Sequence, residues 1–88
     1  MPRRTTAPAE HGERQRIGAT IRQLREMRGF KPDQFASEIG ISRPYLANIE
    51  AGRKPLTEVL LARISGVLMV APLVIVRPDY FEPDLVPA

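Results

Sequence analysis

Residues 32–53 read PDQFASEIGISRPYLANIEAGR and contain two short helical patterns separated by a tight turn at Gly40 and Ile41. Pro32 suits the first position of a helix, where its missing N–H would have no intrahelical partner, and Asp33 places negative charge at the positive helix end. Phe35, Ala36 and Ile39 mark a buried face and Gly40 stops it, so a helix is predicted over 32–39. Only Ile41 separates Gly40 from Ser42, whose hydroxyl can cap the next helix, while Ile41 and Leu46 stand at the two positions of a hydrophobic staple. Pro44 lies in the first turn of that helix, where it removes no intrahelical bond. Leu46 and Ile49 turn inward, and Gly52 ends the element.

Outward from this segment the same logic extends in both directions. Ile17, Ile21, Leu24 and then Met27 or Arg28 recur at helical spacing and Gly29 closes the run, which predicts a helix over 13–28. Residues 1–12, with two prolines and no apolar periodicity, read as a disordered basic arm. Downstream, Thr57 can cap a helix over 58–68 whose apolar face is Leu60, Leu61, Ile64, Val67 and Leu68, with Leu56 and Leu61 at staple spacing. Residues 71–77 admit two readings. Ala71-Pro72 could open a fifth helix, but Leu73-Val74-Ile75-Val76, largely β-branched and between prolines, favours a short edge strand. Residues 78–88 form an acidic, proline-rich tail. Met27 and Met69 are expected to fill gaps in the core.

Composition excludes much. A chain of 88 residues supports one small domain. It has no cysteine, so disulfides and thiolate zinc sites are absent, and its one histidine, His11, supports neither a metal site nor a catalytic triad. No enzyme, cofactor or metal is expected. The longest apolar run, Val67–Val76, is broken by Pro72 and falls short of the about 20 residues a membrane helix needs. No secretory leader is evident at the amino terminus, so a cytoplasmic location is expected. Residues 1–56 carry 11 Lys and Arg against 6 Asp and Glu, net +5, whereas residues 57–88 carry 2 against 4, net −2. The basic part is suited to a polyanion, and 11 of the 13 cations are Arg, whose planar fork matches phosphate and guanine edges.

Two short helices joined by a tight glycine turn, with an amphipathic helix on either side, form a helix-turn-helix arrangement whose second helix reads DNA. Leu24-Arg25, Phe35-Ala36, Ile39-Gly40-Ile41-Ser42 and Tyr45–Arg53 also resemble the Cro and repressor family of lambdoid phages, the xenobiotic-response-element family, over about 17–68. The resemblance implies a mainly α, four- to five-helix, lambda-repressor-like domain, placed over 13–70; residues 71–88 are read from their own composition as a dimerisation segment and tail, with a short C-terminal β-strand left open. With Leu46 and Ile49 inward, Arg43, Pro44, Ala47 and Asn48 face outward on one stripe. Arg can grip guanine and Asn adenine with paired bonds, while Pro44 and Ala47 can touch a thymine methyl; the bland alternative is a solvated helix surface. Ser42, Tyr45, Arg53 and Lys54 are candidate phosphate contacts, with Tyr45 equally readable as a packing residue. Lys31 stands where the family commonly has a capping Ser or Thr, so that cap is weaker. In the family the residues matching Arg25 and Glu50 form an ion pair, which makes them structural rather than DNA-reading.

The expectation is therefore a Cro-like repressor, of phage or mobile-element type, that occludes a promoter on its double-stranded DNA operator as a homodimer. No small-molecule ligand and no membrane partner are expected. Pairing is placed on residues 67–81, with an edge strand at 73–76 meeting its own copy and Tyr80 and Phe81 at the rim. The alternative is an antitoxin-type module whose acidic tail wraps a protein partner while the helix-turn-helix serves autoregulation.

Overall fold

The computed structural model describes residues 7–81, and side chains over 12–81. Four helices, α1 (Ala7–Met27), α2 (Pro32–Glu38), α3 (Arg43–Glu50) and α4 (Glu58–Leu68), are followed by one 3-10 turn at Pro72–Val74, and no strand occurs among the described residues. No described helix is long and apolar enough to cross a membrane.

The caps follow their residues. Ser42 accepts a hydrogen bond from the Tyr45 N–H at 3.2 Å, and Thr57 accepts one from the Leu60 N–H at 3.1 Å. Lys31 gives α2 no side-chain cap. All four helices close with the same pair of backbone bonds. For α2 these are Gly40 N–H to Ser37 O at 3.1 Å and Ile41 N–H to Ala36 O at 2.9 Å, and Gly29, Gly40 and Gly52 each supply the left-handed residue that the closure needs. In α4 that residue is Met69, at φ 59°, which points the side chain into solvent instead of into a core gap.

The core takes Ile17 and Ile21 from α1, Phe35, Ala36 and Ile39 from α2 and its turn, Leu46 and Ile49 from α3, and Leu60, Leu61, Ile64 and Leu68 from α4. Two details of α1 depart from the sequence expectation. It begins at Ala7, so residues 7–12 are helical and only 1–6 of the expected arm lie outside the described residues. Pro8 falls in the first turn and Glu10 close behind it, both favourable near a helix start. At the other end Met27 and Arg28 are exposed, and Arg25 occupies the inward position instead.

The largest correction concerns 71–77, where neither a strand nor a fifth α-helix forms. Ile75 and Val76 N–H both donate to Pro72 O, at 2.9 and 3.0 Å, and the tight turn sends these two neighbours together into the core. A strand would have sent one to each face. Burial of both side chains in the core outweighs the β propensity of the segment. Arg16 Nη2 donates to Ile75 O at 3.3 Å and pairs with Glu13 at 2.7 Å, and Glu13 also lies 3.8 Å from Arg77, which ties this segment to α1. The Arg16 hydrogen bond holds the Glu13 carboxyl below its ordinary range. Tyr80 and Phe81, expected at a dimer rim, are half-buried against the core and meet edge to face at 4.7 Å. Residues 82–88 of the expected tail lie outside the described residues.

Candidate nucleic-acid interface

Glycine places the reading helix. Gly18 is buried in the middle of α1, and a Cβ there would collide with the carbonyl oxygens of Ile49 and Glu50. Its absence lets α1 lie directly on the C-terminal end of α3. Arg25 holds the same junction: Nε donates to Glu50 Oε2 at 2.8 Å, Nη2 to Oε1 at 3.1 Å, and Nη1 to Phe30 O at 2.9 Å. The two side chains are 6% and 10% exposed, and the Glu50 hydrogen bond raises the Arg25 pKa above its usual value. A fork-to-fork pair of this kind fixes both distance and rotation, as a single contact would not.

Clamped from behind, α3 turns its other face outward. Leu46 and Ile49 are buried, while Arg43, Pro44 and Ala47 are exposed and Asn48 is half-buried. The stripe borders a groove of about 210 Å³ in which Arg43 and Ala47 meet Arg22 of α1 and Pro32 of α2. Ser42 is engaged as the cap, which occupies one lone pair and leaves its O–H free to donate. Tyr45 is half-buried and packs on the core, so its ring serves the fold. Arg53 and Lys54 are exposed, and both their N–H groups donate to Asn48 O, at 2.8 and 3.2 Å.

Two contacts were not foreseen from sequence. Arg53 Nε donates to Asn48 Oδ1 at 2.8 Å, which joins a candidate base reader to a candidate phosphate ligand. Arg43 Nη1 lies 3.2 Å from Asp33 Oδ1, across the turn from α2 to α3. The available signals were faint: an acid in the first turn of α2 with none in the first turn of α3, and, for the clamp, a glycine inside an amphipathic helix.

The fold and the outward stripe define a helix-turn-helix protein of the kind carried by transcriptional regulators. Residues 16–73 match the helix-turn-helix domain family over well more than half of the chain, and the chain belongs to that family. It is 43% identical over 54 residues to the HTH-type transcriptional regulator RamB of Mycobacterium tuberculosis; the match covers 61% of this chain but 11% of RamB. Among solved structures, the restriction-modification controller protein C.AhdI from Aeromonas hydrophila superposes with a TM-score of 0.71 at 22% identity, covering 74% of this chain and 98% of that one, a likeness of fold. The clp gene regulator ClgR from Corynebacterium glutamicum gives 0.69 at 28% identity over 72% of this chain and 67% of its own.

Proposed function

We propose that the chain is a sequence-specific double-stranded DNA-binding transcription regulator, a Cro-like repressor that occludes a promoter as a homodimer. The observation that carries this reading is the outward stripe of α3, where Arg43, Pro44, Ala47 and Asn48 stand on a rigidly clamped helix. In this reading Arg43 and Asn48 address base edges, Pro44 and Ala47 the thymine methyl, and Ser42, Arg53 and Lys54 the backbone phosphates. Asn48 keeps both Nδ2 protons and one Oδ1 lone pair available beside its bond from Arg53. Tyr45 contributes its hydroxyl to a phosphate from a half-buried ring packed against the core.

Selection from a random duplex pool supplies the probe for the test. On the selected site Arg43→Ala is expected to cost about 1–3 kcal/mol and to relax preference at one base pair, because a bidentate contact is lost. Lys54→Ala weakens selected and scrambled duplexes alike and lowers the salt slope by about 1. A pool that enriches no sequence, or an Arg43→Ala loss equal on both duplexes, overturns the reading.

A further inference from the structure

Asp33 is 73% and Arg43 63% exposed, yet the two form an ion pair at 3.2 Å across the helix-turn-helix. Stability is a poor explanation, since an exposed pair contributes only about 0.2–1 kcal/mol. A carboxylate beside the outward stripe also opposes binding to any duplex, because it faces the phosphates with like charge. We propose that Asp33 is a specificity-determining residue that positions Arg43 for a guanine edge and penalises duplexes that do not offer one; this rests on the DNA-reading function proposed above.

Three features support the assignment. Arg43 is the first residue of α3, where the positive helix end disfavours a cation, and α3 has no acid of its own in that turn. Asp33 supplies the missing charge from the first turn of α2, where the helix dipole in turn favours a carboxylate. The contact is made by Nη1, which leaves the edge formed by Nε and Nη2 free to donate to guanine N7 and O6. A guanidinium drawn to one side by an ion pair has fewer orientations to lose when its other edge docks.

On a duplex with no guanine in place, Arg43 faces two poor choices. It remains on Asp33 and brings the carboxylate to the DNA with no base contact in return, or it swings to a phosphate and abandons the carboxylate. On the selected site it keeps Asp33 and gains the base. Asp33 therefore weakens non-specific binding more than specific binding, and the cost falls through Arg43.

The experiment compares full-length wild type, Asp33→Asn, Arg43→Ala and the double variant on the selected duplex and on a scrambled duplex of the same composition. Glu38→Gln, which removes an exposed carboxylate from the last turn of α2, serves as the charge control. Asp33→Asn is expected to tighten scrambled DNA more than selected DNA, so that the preference falls about 2- to 5-fold, with a steeper salt dependence on the scrambled duplex. Glu38→Gln shifts both duplexes equally. In the Arg43→Ala background Asp33→Asn leaves the preference unchanged. A wild type that prefers its selected duplex, with Asp33→Asn acting like Glu38→Gln or acting equally without Arg43, overturns the assignment alone. A wild type without preference overturns it together with the DNA-reading function.

Discussion

Arg25 and Glu50 show how one residue pair transmits the fold to the surface. Glu50 is the last residue of the reading helix, and its carboxylate is met on both oxygens by a guanidinium that also satisfies Phe30 O. Both side chains are largely shielded from solvent, so each depends on the other. Glu50→Ala leaves the buried guanidinium with only the exposed Glu26 carboxylate, 4.0 Å away, and no bidentate partner, and is expected to lower stability by about 3 kcal/mol. Thermal unfolding checks this, and a Tm within 3 °C or so of wild type would contradict it, since 1 kcal/mol moves a domain of this size by about 4–8 °C. The pair appears as a family resemblance at residues 25 and 50; its bidentate geometry and the third bond to Phe30 are products of the packing.

At the scale of elements, the approach of α1 to α3 is set by one missing methyl. Gly18 costs α1 about 1 kcal/mol in helix propensity relative to Ala, and its burial against the Ile49 and Glu50 carbonyls explains why that cost is borne. Gly18→Ala should therefore destabilise the protein by about 1–3 kcal/mol despite the better propensity, and displace the end of α3. Denaturant unfolding reads the first effect and selected-duplex affinity the second; a stabilised variant with normal affinity would show that α1 does not set the position of α3. The starts of α3 and α4 were legible because capping chemistry is local: Ser42 and Thr57 cap as their types and spacing imply, whereas α1 starts six residues before the expected position. Helix ends were legible at three glycines, and α4 ends at Leu68 as its apolar periodicity implies; only its left-handed closure at Met69 carries no sequence mark.

For the whole molecule, the question is what lies over the apolar residues left outside. Met69, Leu73 and Val74 are 78%, 63% and 51% exposed and lie within six residues of one another around the α4 terminus and the turn that follows. An apolar surface of this kind commonly marks an interface, and the proposed homodimer uses it through side chains instead of a strand edge. Ile75 and Val76 are already consumed by the monomer core, so the informative substitution is Leu73→Lys with Val74→Lys. Sedimentation should give a dimer for wild type at tens of micromolar, on the order of concentrations that hold a modest interface together, and a folded monomer for the double variant. A monomeric wild type removes the homodimer from the proposal.

The amino-acid sequence by itself determined the helix-turn-helix, the bounds of α4, the inward set Phe35, Ala36, Ile39, Leu46 and Ile49, and hence the outward stripe of α3. Each depends on periodicity, capping and turn glycines, which act within a few residues. Tertiary structure alone decided the fate of residues 71–77, the seating of Gly18, and the partners of Arg43 and Asn48. Those outcomes turn on which surfaces meet. A β-branched segment bends into a turn when both neighbours can be buried, and Asp33 reaches Arg43 only once the turn between α2 and α3 has folded the two helix starts together.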